Sequence, residues 1–362
     1  MTARELLLAP LTAPGTFAVL LGLVVAGFVV RRSARRHRRR LLRIAGLTLA
    51  IISLTATAAD ATNAWFGYLP RLGDVGTLVG APASWPVVTT RDLAAGAASP
   101  RARTGGVLDL ALPDRGSGFG PTTALAWLPP QYFTEPHRRF AVVYLAHGSP
   151  GVPQDWFRGG DAARIGERLA GRGLPLILVA PRLSHGWLDD PECVDGRREA
   201  AATHLLVDVV PGVDAALRTS PVRAARMIGG MSAGGYCALN LGLRHRDVFG
   251  SILDLSGLDR PTHAGGMQAL YGADAAARAV ADSPGAYARA LAPEPVVRVW
   301  LGYGAQDEET RGDVRRMAAD LGATGFPVRL LVRPGFHTFH VWRPLTAQAL
   351  GEAAPGLVAA AG

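Results

Sequence analysis

Residues 225–245 read ARMIGGMSAGGYCALNLGLRH, and this stretch decides the fold class. The short apolar run ARMI is typical of a buried strand, and an apolar pattern with helical spacing follows in GGYCALNLGLRH. Between them, Gly230 to Gly234 fit the pattern G-x-S-x-G, in which a sharp strand-to-helix turn presents the serine and small neighbours leave it accessible. We therefore predict that Ser232 lies at such a turn and is a candidate nucleophile.

The rest of the chain alternates short apolar runs with helix-length segments. Strands are predicted at 106–112, 123–129, 140–148, 174–181, 225–231, 250–257, 296–304 and 328–335. Helices are predicted near 160–171, 199–218, 233–246, 274–291, 309–322 and 343–352. This alternation predicts an α/β fold with a mostly parallel sheet flanked by helices. Because such sheets bind ligands at the carboxyl ends of their strands, we expect the chemistry there.

A histidine and a carboxylate are expected to accompany the serine. A serine hydroxyl becomes nucleophilic when a histidine accepts its proton and an acid orients that histidine, and in this fold class the chain order is serine, acid, histidine. LGYGAQDEE ends a late strand with Asp307 and Glu308, and RPGFHTFHVW ends the last strand with His337 and His340. We predict Asp307 as the acid, with Glu308 as the alternative. His337 is predicted as the base because it directly follows the strand, with His340 as the alternative.

Ester hydrolysis also needs N–H donors for the oxyanion. The backbone N–H of Ala233, which follows the candidate nucleophile, is one predicted donor. The loop HGSPG after the third strand is expected to supply the other, and Ser149 N–H is the candidate. The remaining histidines show no H-E-x-x-H spacing, and the chain has no P-loop or dinucleotide fingerprint, so we predict neither a metal nor a cofactor.

The first 60 residues are predicted to be a membrane anchor. Two uncharged stretches, 15–30 and 44–59, flank RRSARRHRRRLLR at 31–43, which holds eight arginines and no acid. We predict two transmembrane helices joined by a cytoplasmic loop, and the positive-inside rule then places the rest of the chain on the extracytoplasmic side of the cell membrane. One span with an interfacial helix is the alternative. A signal peptide is disfavoured because only Arg4 precedes the first apolar core.

The net charge of +9 comes almost entirely from that arginine run. Without its eight arginines the 38 basic residues fall to 30, against 29 acidic ones. A nucleic-acid-binding protein would spread positive charge over a folded face and interleave aromatic residues. The sequence therefore disfavours a nucleic-acid partner.

Composition divides the chain into three parts. After the anchor, the Gly-, Pro- and Ala-rich residues 61–105 are predicted to be a membrane-proximal linker, and residues 106–355 are predicted to be the catalytic domain. Cys193 and Cys237 lie in this domain, where an extracytoplasmic location would allow a disulfide. The sequence does not supply the distance between them, so two buried thiols remain the alternative.

Three segments resemble one esterase family, which includes esterase D and the mycolyltransferases of the antigen 85 complex. GGMSAGGYCALNLGLRHRDVFGSILDLSG is similar to its nucleophile segment, YLAHGSPGVPQDW to its oxyanion segment, and GFHTFHVW to its histidine segment. The resemblance covers about residues 105–352. It implies an α/β-hydrolase fold acting on esters or thioesters, in some members by acyl transfer, with His337 rather than His340 as the base.

The resemblance implies either of two acids, and it leaves one loop unmatched. Family esterases with a G-x-x-D pattern imply Asp307, whereas the mycolyltransferases have a glutamate one place later, at Glu308. In RLSHGWLDDPECVDGRRE (182–199) the acyl and sugar contacts of the mycolyltransferases are not recognisable.

Three functions are therefore considered. The first is a membrane-anchored serine esterase that acts on an ester or acylated lipid of the membrane or envelope through an acyl-enzyme. The second is an acyltransferase that moves an acyl group to a sugar or glycolipid hydroxyl. The third is a non-catalytic membrane-anchored binding module. The first is favoured because the serine, acid, histidine order is intact.

Overall fold

Strands that are buried along their whole length form the centre of the α/β unit. The computed structural model describes residues 22–28, 32, 40–69, 85–292 and 296–362. These residues divide into two compact units, with the division after Ser84. In the second unit every residue of Ala141–Ala146, Arg226–Met231 and Ser251–Leu255 is buried, as expected for strands covered on both faces.

The strands of the described residues form one nine-stranded sheet. They are β1 Val87–Val88, β2 Gly106–Leu112, β3 Thr122–Leu128, β4 Ala141–Ala146, β5 Leu176–Pro181, β6 Arg226–Met231, β7 Ser251–Leu255, β8 Arg298–Gly304 and β9 Val328–Arg333. Their order across the sheet is β1-β2-β3-β5-β4-β6-β7-β8-β9. β3 pairs antiparallel with both β2 and β5, and the other pairs are parallel. The carboxyl ends of β4, β6, β7, β8 and β9 therefore meet at one edge.

Helix α1, Arg40–Phe66, belongs to the first unit. The helices of the second unit lie between its strands and after the last one. They are α2 Thr90–Ala95, α3 Arg101–Thr104, α4 Pro130–Thr134, α5 Gln154–Phe157, α6 Ala162–Gly171, α7 Ala201–Thr203, α8 Val210–Ala216, α9 Ala233–Arg244, α10 Gly266–Tyr271, α11 Ala275–Ala281, α12 Pro284–Tyr287, α13 Arg311–Ala323 and α14 Phe339–Ala361. A π-helical segment, His204–Val209, joins α7 to α8. α9 packs on β6 and β7, and α14 packs on β4, β7 and β8.

The predicted mostly parallel sheet is confirmed, and each predicted strand is present with its ends shifted by no more than two residues. Three features differ from the sequence-based expectation. The last helix, predicted near 343–352, spans Phe339–Ala361. The helix expected over 274–291 is divided, because Pro284 starts a new helix. The second unit begins at Trp85, within the segment predicted as a linker, and its residues Val87–Val88 pair with β2. Such a two-residue strand is too short for a periodic signal.

The N-terminal unit contains one long apolar helix, α1. Within it, Ile44–Phe66 comprises 23 residues with a mean hydropathy of 1.6, which is long and apolar enough to cross a membrane. A helix of this kind fits a membrane anchor or a signal sequence. The first predicted span, 15–30, lies mostly outside the described residues. Within this span the structure describes residues 22–28, which are helical. One candidate membrane helix is therefore present in the described part of the chain.

Candidate active site

Ser232 occupies the turn between β6 and α9. Its backbone has φ 57° and ψ −126°, a conformation that costs a non-glycine residue about 1–3 kcal/mol. The turn is so tight that a Cβ on Gly230 would collide with the carbonyl oxygen of Gly234, and a Cβ on Gly234 would collide with that of Ala146. The two glycines around Ser232 are therefore a packing requirement of the turn that presents its hydroxyl.

Gly234→Ala is expected to lower the free energy of unfolding by about 3 kcal/mol, because the added methyl group must displace backbone atoms. Gly312→Ala on α13 is the matched control, since nothing lies within 4 Å of a Cβ at that position. That change is expected to be neutral or to stabilise by up to about 1 kcal/mol. Urea unfolding of the full chain in detergent measures both, and equal midpoints for the two variants would contradict the packing argument.

The structure brings Ser232, His337 and Asp307 together at the carboxyl ends of β6, β9 and β8. His337 Nε2 lies 2.9 Å from Ser232 Oγ, and His337 Nδ1 lies 2.9 Å from Asp307 Oδ2. A neutral imidazole with its proton on Nδ1 donates to Asp307 and accepts a hydrogen bond from the Ser232 hydroxyl at Nε2. The arrangement can thus remove a proton from Ser232 and stabilise the imidazolium that forms.

Asp307 is held ionised by the groups around it. The residue is buried, and it accepts hydrogen bonds from Thr310 Oγ1 at 2.7 Å and from the Ser256 hydroxyl. Burial alone would raise the pKa of Asp307, but the hydrogen bonds from His337, Thr310 and Ser256 outweigh it and lower this pKa below its usual value. Asp307 is therefore a carboxylate at neutral pH, as orientation of His337 requires.

The two alternative residues lie elsewhere. The Glu308 side chain is 85% exposed and lies 3.9 Å from Arg311 in an exposed ion pair. His340 is an exposed residue of the first turn of α14. Of the predicted residues, His337 and Asp307 are thus the pair that the fold brings to Ser232.

Both predicted oxyanion donors line the same cavity as Ser232. This cavity has a volume of about 100 Å³ and is lined in part by Ser149, Ala233 and His337. Ala233 is the first residue of α9, and N–H groups in the first turn of a helix have no acceptor within the helix. The loop with Ser149 is close by, since a Cβ on Gly148 would lie 3.4 Å from the Ser232 Cβ. Both residues therefore lie beside Ser232 in the lining of one cavity.

Two residues without an assigned role in the sequence analysis support the site. Trp342 Nε1 donates to Ser256 Oγ at 3.1 Å, and the Ser256 hydroxyl in turn bonds to Asp307. The Trp342 indole also meets the His337 ring edge to face, with 4.8 Å between ring centroids. Both residues belong to quoted segments, DLSG and GFHTFHVW, but only their contacts reveal that they position the acid and the base.

A disulfide connects the unmatched loop 182–199 to the nucleophile helix. Cys193 and Cys237 are bonded, with their Cα atoms 5.2 Å apart, which settles the alternative that the sequence left open. The loop brings Asp190 and Glu192 into the lining of the cavity beside Ser232. Sequence reasoning missed both acids, whose only signal is the run DDPE before Cys193.

Two buried histidines outside the site, His147 and His204, have protein partners. His204 Nδ1 lies 2.8 Å from Asp208 Oδ2 in the core, and His147 Nε2 accepts from the Leu183 N–H at 3.3 Å. Burial lowers the pKa of His147 to about 4, so its ring is neutral and shapes the turn before Ser149. Among the described residues, no three histidine, cysteine or acidic side chains lie together as a metal site would require.

A mostly parallel sheet that carries a serine, a histidine and an aspartate at the carboxyl ends of its strands defines the α/β-hydrolase class. The family model "Putative esterase" matches residues 120–353. The chain therefore belongs to this esterase family.

Relatives in actinobacteria share part of the sequence. An uncharacterised protein of Corynebacterium glutamicum is 30% identical over 270 residues, which cover 71% of this chain and 61% of that protein. A Mycobacterium tuberculosis esterase is 32% identical over 144 residues, which cover 38% of this chain and 30% of that esterase. The chain therefore spans less than two thirds of the length of these curated relatives.

Solved structures share the fold. A ferulic acid esterase superposes with a TM-score of 0.60 at 20% identity, covering 72% of this chain and 99% of that one. A fluorophosphonate-binding serine hydrolase of Staphylococcus aureus has a TM-score of 0.57 at 16% identity, covering 69% and 98%. Mycobacterium tuberculosis MPT51 has a TM-score of 0.55 at 20% identity, covering 69% and 98%. These similarities show an α/β-hydrolase-like fold.

Proposed function

We propose that this protein is a serine esterase that cleaves its substrate through an acyl-enzyme on Ser232. The observation that carries the proposal is the continuous hydrogen-bonded line from Ser232 through His337 to Asp307, with 2.9 Å at each step. A nucleophile, a base and an orienting acid in this geometry are what acyl transfer to serine requires.

In the first half of the reaction, Ser232 Oγ attacks the ester carbonyl carbon while its proton moves to His337 Nε2. The carbonyl oxygen becomes an oxyanion, which accepts hydrogen bonds from the N–H groups of Ala233 and Ser149. Collapse of the tetrahedral intermediate breaks the bond to the alcohol oxygen, and His337 gives that oxygen its proton. The acyl group remains on Ser232 as an ester.

In the second half, water takes the place of the alcohol. His337 accepts a proton from water, whose oxygen attacks the acyl carbon, and Ser232 recovers its proton when the acid leaves. An alcohol in place of water would give acyl transfer by the same steps. Hydrolysis is the proposed outcome because the cavity of about 100 Å³ beside Ser232 is too small to hold both a long acyl chain and a sugar acceptor.

We place this esterase on the extracytoplasmic side of the cell membrane, held there by its N-terminal helices. The apolar helix within Ile44–Phe66 supports an anchor, and the arginine run 31–43 before it supports the orientation and a second span. The Cys193–Cys237 disulfide supports an oxidising compartment. An enzyme held at this surface is suited to an ester or acylated lipid of the membrane or envelope.

Fluorophosphonate labelling of membranes that contain the wild type, Ser232→Ala or His337→Ala tests the proposal. We expect labelling of the wild type alone, because the probe reacts with a serine whose proton a nearby histidine can accept. The three proteins are compared at equal amounts after a folding check by limited proteolysis. A folded wild type that takes up no probe would exclude the serine esterase and leave the binding module.

A further inference from the structure

Two carboxyl side chains, Asp190 and Glu192, line the cavity beside Ser232. We propose that Asp190 and Glu192 bind an ammonium group on the acyl part of the substrate, so that the substrates are esters of small amino-bearing acids. This inference rests on the proposed esterase function and names the substrate class of the same site.

The burial and the hydrogen bonds of Glu192 suit a residue that binds a ligand. It is only 4% exposed and lines the cavity that contains Ser232. Its Oε1 accepts from the Thr262 N–H at 2.8 Å and from Thr262 Oγ1 at 3.2 Å. In the part of the chain that the structure describes, Oε2 has no hydrogen-bond donor. The second carboxyl oxygen of this largely buried side chain is thus available to a ligand in the cavity that Glu192 lines.

Asp190 adds a second carboxyl beside the first. Its Oδ1 accepts from the Glu192 N–H at 3.3 Å, and Ser149 lines the same cavity. No arginine of the described residues forms an ion pair with either carboxyl, and His263 is the basic side chain that acts on Asp190. Two neighbouring acids in this setting attract a cation from outside the protein.

The surroundings of both acids make their ionised forms less stable, as their raised pKa values show. Burial, with the nearby Asp190 charge, raises the pKa of Glu192 to about 7. Burial likewise raises the pKa of Asp190. An ammonium group that donates hydrogen bonds to both carboxylates would stabilise their ionised forms. Binding therefore offsets the free-energy cost of ionising two buried carboxyl groups.

The size and lining of the cavity match a small polar cation. A volume of about 100 Å³ is well below the ~300–1,000 Å³ of pockets for drug-sized ligands. Leu258 is the single branched aliphatic residue of its lining, beside the hydroxyls of Ser256, Thr262 and Thr310. A long hydrocarbon chain finds no apolar wall here.

The location of the acids assigns them to the acyl side. His337 must reach the alcohol oxygen to protonate it, so the alcohol leaves on the His337 side. Asp190 and Glu192 line the cavity together with Ser149 and Ala233, the proposed oxyanion donors, and the disulfide of Cys193 joins their loop to α9. We therefore assign the group that these acids bind to the acyl part, which remains on the enzyme after the alcohol has left.

Paired ethyl esters test the inference with the full chain in detergent at pH 7. Ethyl alaninate is compared with ethyl propionate, and ethyl β-alaninate with ethyl butyrate, so that each pair differs chiefly by the ammonium group. The wild type is expected to prefer one of the ammonium esters in kcat/KM by about tenfold or more, as for a hydrogen bond to a charged group. Glu192→Gln is expected to remove most of that preference through KM, so that kcat/KM falls at least about fivefold more for the ammonium ester than for its uncharged partner.

Two further variants complete the design. Asp190→Asn is expected to reduce the same preference, and Glu167→Gln on the exposed face of α6 is expected to leave it unchanged. Equal losses for charged and uncharged esters in Glu192→Gln would overturn the inference, as would a wild type without preference in either pair. If Ser232→Ala still abolishes turnover of ethyl propionate in that case, the esterase function stands and only its substrate class is refuted.

Discussion

Ser232→Ala is expected to lower kcat for ester hydrolysis on the order of 10⁶-fold with little change in KM. The variant keeps the cavity and the oxyanion N–H groups, but it has no atom that can form the acyl-enzyme. His337→Ala is expected to cause a loss of similar size, because Ser232 Oγ then has no acceptor for its proton at 2.9 Å. Stopped assays with ethyl propionate at high enzyme concentration measure both.

The double variant is the control for this reading. If Ser232 and His337 act as one unit, Ser232→Ala with His337→Ala loses no more activity than either single variant. Losses that multiply in the double variant would mean that the two residues act independently. In that case the hydrogen bond between Ser232 and His337 would not activate the serine.

The sequence predicts that Ser232, Asp307 and His337 meet at one edge of the sheet, because each of them follows a recognisable strand. The continuous apolar runs that become β4, β6 and β7 are typical of strands buried on both faces. Ser232 and Asp307 each follow such a run, His337 follows the largely exposed edge strand β9, and parallel strands bring their carboxyl ends to one edge. Chain order and strand position thus reduce the search to a few residues.

What the sequence does not predict depends on contacts between distant segments. The loop 182–199 has no periodic pattern, so nothing local indicates that a disulfide to Cys237 places its acids in the cavity. The contact of Ser256 with Trp342, 86 residues later, is equally invisible to local patterns. The acids that we propose to bind substrate lie in such a loop, whereas the candidate catalytic residues lie at strand ends.

The choice between Asp307 and Glu308 needs the structure as well as the sequence. Asp307 and Glu308 are adjacent and chemically alike, so strand position alone leaves both open. In the folded chain, the first is buried among hydrogen-bond donors and the second is 85% exposed. Burial with partners, rather than carboxyl chemistry, makes one of them able to orient His337.

Asp307→Asn is therefore expected to lower kcat by about 10⁴-fold, while Glu308→Gln changes it less than about twofold. The amide of the first variant can still accept a hydrogen bond, but it carries no charge to stabilise the imidazolium of His337, and its NH₂ group favours the wrong tautomer. Steady-state hydrolysis of ethyl propionate measures kcat for both variants.

Fluorophosphonate labelling of the same two proteins separates loss of chemistry from loss of structure. Asp307→Asn that has kept its fold should label slowly and still reach full occupancy, because Ser232 and the oxyanion N–H groups remain. A large loss in Glu308→Gln with a small one in Asp307→Asn would show that the acid changes place when substrate binds. We expect instead a large loss in Asp307→Asn and a small one in Glu308→Gln. The reason is that the 2.9 Å hydrogen bond between Asp307 and His337 already holds the base toward Ser232.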